Sequence, residues 1–227
     1  MPSKKIRFEN GKIYHLFNRG VEKRDIFIDK KDYFRFVSCL YEMNSKGKIL
    51  MREKIEQKLE KKKAILPAPT IKRERLIDIL SFCLMPNHYH LIVRQLTDNG
   101  ISLFMKKLGD GYVGYFNSKY DRRGMGSLFQ GRFKTVQVEK EEQLINLFWY
   151  VFVNPLDLIE KDWKEEGIKD VEKILKFLNS YRWSSYLDSI GKKNFPSTID
   201  KSFLTENLGS PEKIKKTTED RIREFVV

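Results

Sequence analysis

Two short apolar segments joined by a turn dipeptide place the strongest constraint on how this 227-residue chain folds. The segments span residues 77–85 and 90–93. The four residues between them begin with the turn dipeptide Pro86-Asn87. Apolar runs of this length, rich in strand-forming residues and separated by turn residues, are typical of a β-hairpin. The sequence therefore predicts two neighbouring strands connected at Pro86-Asn87.

Two of the three histidines in the chain, His88 and His90, flank Tyr89 at this predicted hairpin. Side chains alternate between the two faces of a sheet, so both imidazoles should share one face while Tyr89 points to the other. Two imidazoles on one face can bind a single metal ion. The same spacing also occurs on ordinary strands with hydrogen-bonded histidines, and the spacing alone leaves both interpretations open. The third histidine, His15, has no partner nearby in the sequence, and we expect a structural role for it.

Further periodic patterns predict a domain that mixes strands and helices. Alternating or strand-forming residues indicate strands, and apolar positions repeated every three or four residues indicate helices. The strands are predicted at 13–17 and 133–138, and the main helices at 30–41, 101–120 and 141–153. A turn is expected at Asn18-Arg19-Gly20, directly after the first strand.

The helix predicted at 141–153 carries a polar stripe beside its apolar residues. Gln143, Asn146, Tyr150 and Asn154 recur at intervals of three and four positions. If this stripe faces the histidine pair, Asn154 can offer its amide oxygen to a cation one turn beyond the Tyr150 hydroxyl. The alternative is a tyrosine at the boundary of the core followed by an asparagine that ends the helix.

The net charge points to a polyanionic partner. Forty-four Lys and Arg residues against 31 Asp and Glu residues give a formal charge of +13. Such a field attracts nucleic acids, although a basic surface also serves solubility and charge alone does not decide between the two. The segment 46–75 holds eleven of these basic residues and four acidic ones, and we interpret it as an inserted arm.

Nothing in the sequence indicates a membrane partner. No apolar run approaches the roughly 20 residues that a helix needs to cross a bilayer. The first ten residues also lack the hydrophobic centre of a secretion signal. We therefore expect a cytoplasmic protein.

The motif His88-Tyr89-His90, followed by Tyr150-x-x-x-Asn154-Pro155, resembles the single-tyrosine HUH transposases, and among them the REP-associated tyrosine transposases. Three further stretches are similar to that family, and they lie at 14–20, 124–133 and 183–186. The resemblance implies an α+β fold, with a ferredoxin-like antiparallel sheet, the histidine pair on a central strand and helices packed on one face. Separately, the spacing of Ile55 and Leu59 predicts a short amphipathic helix in the inserted arm at 46–75. We assign residues 1–156 to the catalytic domain and 157–227 to a C-terminal helical extension, in which we predict helices at 169–178 and 211–224.

The resemblance also implies an activity and a set of site residues. The chain would be a metal-dependent endonuclease and strand transferase for single-stranded or hairpin DNA, with Tyr150 as the nucleophile. His88, His90 and Asn154 would hold Mg²⁺ or Mn²⁺. Many family members have glutamine at the position of Asn154, whose side chain is one methylene shorter. The candidate phosphate contacts are basic residues, namely Arg19, Arg122, Arg123, Arg132 and Lys134.

Attack by Tyr150 would leave a 5′-phosphotyrosine and a free 3′-hydroxyl group. A phenol with a pKa near ~10 is a weak nucleophile, which is why the phosphate must be polarised. Tyr112 and Tyr115 are reserve candidates for the nucleophile, although core packing explains both more simply. Two alternatives remain open, a replication initiator or relaxase with the same chemistry, and a domesticated protein that binds hairpin DNA without cutting it. The sequence also leaves open whether the protein forms a homodimer.

Overall fold

Four antiparallel strands form one sheet in the computed structural model, which describes residues 7–47 and 74–227. The strands are β1 (Ile13–Arg19), β2 (Ile77–Met85), β3 (His88–Gln95) and β4 (Lys134–Val138). The helices within the described residues are α1 (Lys30–Glu42), α2 (Gly100–Lys119), α3 (Glu141–Val153), α4 (Trp163–Glu166), α5 (Val171–Leu178), α6 (Tyr186–Ser189), α7 (Lys201–Leu208) and α8 (Pro211–Arg223).

The order of the strands in the sheet, β2-β3-β1-β4, identifies the fold. With α1 between β1 and β2, and α2 between β3 and β4, the chain follows the βαββαβ path of the ferredoxin-like fold. The predicted α+β class and the central position of the strand with the histidine pair are therefore confirmed.

The hairpin at Pro86-Asn87 is present. The two central strands, β3 and β1, are longer than the sequence patterns predict. β3 begins at His88, and β1 continues through Arg19 where a turn was expected. The reason is pairing across the sheet, because Arg19 lies opposite His88 in the antiparallel register. This extension keeps the Arg19 side chain on the sheet, beside the histidines.

Helices cover both faces of the sheet. On one face, the Tyr89 ring lies 5.0 Å from the Phe36 ring of α1, which in turn lies 5.0 Å from the Tyr112 ring of α2. On the other face, the Tyr150 ring of α3 lies 5.2 Å from the His90 ring. The expectation of helices on one face therefore holds for α1 and α2, whereas α3 covers the opposite face. Every residue of β2 is buried as a result.

The C-terminal segment packs against the edge of the sheet. The backbone N–H of Leu84 donates to the carbonyl oxygen of Trp183, and the N–H of Ser185 donates to that of Phe82, each at 2.9 Å. These hydrogen bonds satisfy polar groups that an edge strand such as β2 would otherwise expose. Residues 157–227 thus contribute to the same core as the sheet.

The predicted C-terminal helices at 169–178 and 211–224 are present as α5 and α8, with ends that differ by at most two residues. The predicted helical arm at 46–75 lies almost entirely outside the described residues. None of the described helices combines the length and the apolar character that crossing a bilayer requires.

Candidate functional site

Alternation along β1 and β3 gathers aromatic and basic side chains on the sheet face that α3 covers. Phe17 is directly opposite His90, and Arg19 is opposite His88. Residues directly opposite each other in an antiparallel pair share a face. His15 precedes Phe17 by two positions and belongs to the same face, where its ring centroid lies 5.1 Å from that of His90. All three histidines of the chain therefore form one cluster.

Helix α3 and the residues after it complete the site. The Tyr150 ring meets the His90 ring edge-on, and Asn154 follows the last residue of α3 at the start of a 3-10 helix (Asn154–Leu158). Tyr150, Asn154, His88 and His90 line one cleft of about 270 Å³. Its remaining lining residues are Phe17, Asn18, Arg19, Gln130, Lys134 and Asp157.

The two N-terminal members of the polar stripe, Gln143 and Asn146, form hydrogen bonds outside the cleft. The side-chain oxygen of Gln143 accepts a hydrogen bond from the backbone N–H of Glu139 at 3.0 Å. Asn146 accepts one from the Arg221 guanidinium of α8 at 3.1 Å. Of the four residues in the stripe, only Tyr150 and Asn154 line the cleft.

In both His88 and His90, the Nδ1 atom of the ring takes part in a hydrogen bond. Nδ1 of His88 lies 2.6 Å from Oδ1 of Asn87, and Nδ1 of His90 lies 2.9 Å from Nε2 of His15. In contrast, Nε2 of His90 and Oδ1 of Asn154 are buried without a hydrogen-bond partner among the described residues. A buried polar atom without a partner costs roughly 1–3 kcal/mol, so two such atoms in one cleft point to a bound group.

The residues present fit a divalent cation. Two imidazoles and an amide oxygen are ligands that Mn²⁺ and, with more oxygen around it, Mg²⁺ accept. Over residues 7–47 and 74–227, no group of three or more His, Cys, Asp or Glu side chains is arranged to hold a metal ion. A site here would therefore depend on Asn154 or on groups from the substrate in addition to the two histidines.

Burial keeps the histidines neutral. It lowers the pKa of His15 to about 4, and burial together with the Arg19 charge lowers the pKa of His88 to about 4. The pKa of His90 falls well below its usual value, because of burial and the neighbouring His15 and His88. A neutral imidazole keeps one electron pair free, so each of these side chains can act as a ligand or hydrogen-bond acceptor at neutral pH.

The Tyr150 hydroxyl is protonated in this environment. Burial and the Asp157 carboxylate raise its pKa, while Asn154 and Arg19 act in the opposite direction. The Nζ atom of Lys164 also lies 5.1 Å from the centre of the Tyr150 ring. A phenol held in this state reacts at a phosphate only when charge on the phosphate is neutralised.

The five basic residues predicted to contact DNA divide into two groups. Arg19 and Lys134 line the cleft. Arg122 and Arg132 each lie over a neighbouring aromatic ring, at 5.8 and 5.6 Å from its centre, and Arg123 is exposed in the loop after α2. The structure thus brings two of the five to the histidines and Tyr150.

The reserve tyrosines lie on the other side of the sheet. The Tyr112 hydroxyl donates a hydrogen bond to the carbonyl oxygen of Ile26, and the Tyr115 hydroxyl donates to Asp32 at 3.0 Å. Tyr112 is 1% exposed and packs in the layer formed by α1 and α2. Neither tyrosine lines the cleft with the histidines.

Several residues of this site are not predicted from the sequence, among them His15, Asp157 and Lys164. Strand alternation places His15 on the same face as Phe17 and Arg19, but its contact with His90 depends on the pairing of β1 with β3. Asp157 and Lys164 come from the start of the C-terminal segment, and no motif marks them. Trp163 fixes this segment, since it is 1% exposed and its indole N–H donates to Asp157 at 2.9 Å.

Comparisons with known proteins agree with this geometry. Residues 43–153 match the family model described as transposase IS200-like. The structure of a REP-associated tyrosine transposase bound to a REP hairpin is similar with a TM-score of 0.52 and 11% identity, covering 88% of this chain and 92% of that chain. No curated protein matches significantly. The structural likeness shows a shared fold, and residues 43–153, just under half of the chain, are similar to the IS200-like transposases.

Proposed function

We propose that this protein is a metal-dependent endonuclease and strand transferase that acts on single-stranded hairpin or repeat DNA. The observation that carries the proposal is the convergence of Tyr150, Asn154, His88 and His90 on one cleft. The similar transposase bound to a REP hairpin supports a hairpin substrate. The REP-associated branch of the family is the one that we propose for this chain.

His88, His90 and Asn154 would hold Mg²⁺ or Mn²⁺ in the cleft. Their buried atoms without hydrogen-bond partners, Nε2 of His90 and Oδ1 of Asn154, support this assignment. A bound divalent cation supplies polarisation of a phosphate oxygen and neutralises the negative charge that develops on it. Two nitrogen ligands favour Mn²⁺ over Mg²⁺.

The reaction is a transesterification at phosphorus. The Tyr150 hydroxyl oxygen bonds to the phosphorus, the bond from phosphorus to the 3′ oxygen breaks, the phenol loses its proton to solvent and the 3′ oxygen takes one up. The products are a 5′-phosphotyrosine and a free 3′-hydroxyl group. One ester replaces another, so a second 3′-hydroxyl can reverse the step and reseal a strand without ATP.

The cleft suits a single strand. Arg19 and Lys134 can neutralise backbone phosphates, and the half-buried Phe17 ring offers a surface on which an unstacked base can lie. Arg123 and Arg132 do not line the cleft and would contact DNA outside it, whereas the guanidinium nitrogens of Arg122 are buried.

Incubation with end-labelled hairpin DNA and Mn²⁺ tests the proposal. We expect a covalent adduct that survives denaturation, together with a released 3′ end that a polymerase can extend. Tyr150→Phe should abolish the adduct, whereas the matched control Tyr115→Phe should retain it. Hairpin binding without an adduct across many sequences would instead indicate a binding protein. A replication initiator or relaxase would form the same adduct, and repeats that flank the gene would distinguish it.

A further inference from the structure

His15 and His90 contact each other through one hydrogen bond between two buried rings. Nε2 of His15 lies 2.9 Å from Nδ1 of His90. Both rings are buried, and burial in a low-dielectric interior disfavours the charged imidazolium form. A neutral imidazole carries hydrogen on one nitrogen only, so one ring donates this bond and the other accepts it. The direction of the bond decides which nitrogen of His90 has a free electron pair.

We propose that His15 is a positioning residue that accepts this hydrogen bond, and thereby fixes Nε2 of His90 as the atom with the free electron pair. The inference rests on the proposed function, because a bound cation is what requires the free electron pair on Nε2 of His90. A ring partner that fixes the tautomer of a ligating histidine is a general means of orienting such ligands.

His88 provides the first argument. Its Nδ1 lies 2.6 Å from the amide oxygen of Asn87, and an amide oxygen only accepts. His88 therefore carries its hydrogen on Nδ1 and presents Nε2 with a free electron pair. If His15 accepts, His90 has the same arrangement, and the two imidazoles of the pair offer equivalent atoms.

The burial of His90 provides the second argument. Its Nε2 is buried without a hydrogen-bond partner among the described residues, and Oδ1 of Asn154, which lines the same cleft, is in the same state. Were His15 the donor, the hydrogen of His90 would sit on Nε2, and a cation could not bind there. With His15 as acceptor, both atoms offer electron pairs to one ligand.

Packing holds the two rings in this arrangement. Their planes are 25° apart, and the Phe17 ring lies 4.8 Å from the His15 ring and 5.8 Å from the His90 ring. The Tyr150 ring contacts His90 edge-on from α3. A flip of the His90 ring, which would exchange its nitrogens, would have to displace these aromatic neighbours.

Nitrogen NMR of the metal-free protein tests the direction of the bond without metal or DNA. In ¹⁵N-histidine protein at pH 7.5, we expect His90 to show a protonated Nδ1 and an unprotonated Nε2. The opposite tautomer would overturn the proposal, whatever the outcome of the cleavage assay.

Mn²⁺ affinity, measured by calorimetry, tests the consequence. His15→Phe removes the acceptor but keeps a ring, and we expect a loss of about 10- to 100-fold. His15→Gln keeps an acceptor oxygen and should restore most of the affinity. Val136→Ala is the matched control, because it truncates the side chain opposite His15 on β4 without touching the hydrogen bond, and it should alter affinity less than about threefold.

Equal losses in His15→Phe and Val136→Ala would contradict the inference, because they would show that His15 acts through packing alone. Failure of the wild-type protein to bind Mn²⁺ would count against the proposed function, and the NMR measurement would still decide the tautomer. The two failures are therefore distinguishable.

Discussion

Mild acid should destabilise the metal-free protein strongly, because all three histidines are packed into one cluster. The pKa of His15 and that of His88 both fall from 6.5 in the unfolded chain to about 4 in the folded protein. Between these values the unfolded chain binds a proton at each position and the folded protein does not. Stability is therefore complete above pH 6.5 and is lost as the pH falls toward 4.

The size of the effect follows from the linkage between protonation and folding. Each histidine contributes about 1.4 kcal/mol per pH unit within this window, or roughly 3 kcal/mol over its full width. His15 and His88 together give roughly 6 kcal/mol, and His90 acts in the same direction. Because small domains have about 5–15 kcal/mol of stability in total, most of it should disappear.

Urea denaturation followed by tryptophan fluorescence, in EDTA and at pH values from 7.5 to 4.5, measures this loss. His15→Phe should lose roughly 3 kcal/mol less than the wild type over the same range. The Lys119 ammonium lowers the pKa of the Asp29 carboxyl, so Asp29 titrates below this window. A free energy of unfolding that stays constant within about 1 kcal/mol would refute the reasoning, since the folded protein would then bind the same protons.

Three further predictions address the ligand set, the DNA contacts and the C-terminal segment. Asn154→Ala should raise the Mn²⁺ concentration for half-maximal adduct formation about tenfold, and an unchanged requirement would remove this amide from the ligand set. In the Tyr150→Phe background, Arg19→Gln should reduce the salt dependence of single-strand binding, measured by fluorescence anisotropy, by about 0.7 in the slope of log affinity against log salt. Lys173→Gln, which removes an exposed charge on α5, should leave that slope unchanged, and an equal effect would indicate a diffuse field instead of a contact. Trp163→Ala should cost about 3–5 kcal/mol in urea denaturation because the ring is buried, and a loss below about 1 kcal/mol would contradict the packing described for this segment.

Local patterns were sufficient to predict the sheet and the centre of the site. Alternation over residues 88–90 sets both histidines on one face, and spacing of three and four residues sets Tyr150 and Asn154 on one side of α3. These relations depend only on the periods of a strand and a helix. The ferredoxin-like order was inferred from the resemblance of the motifs, and the structure confirms it.

The other residues of the site come together through contacts between distant parts of the chain. His15 reaches His90 only because β1 lies next to β3 in a particular register, which no local pattern states. Asp157 and Lys164 reach the cleft because the segment after α3 folds back and is anchored by Trp163. The expectation of one covered face was incomplete because α3 packs on the face opposite α1 and α2, where its Tyr150 ring meets His90.

Mass spectrometry of the protein-DNA adduct would show directly whether Tyr150 is the residue that bonds to the DNA. The wild-type protein would be incubated with single-stranded hairpin DNA and Mn²⁺, digested with nuclease and protease, and searched for peptides that carry a nucleotide. We expect a nucleotide 5′-phosphate on the Tyr150 peptide alone. A nucleotide on Tyr112 or Tyr115, or a protein that binds the DNA yet yields no modified peptide, would contradict it.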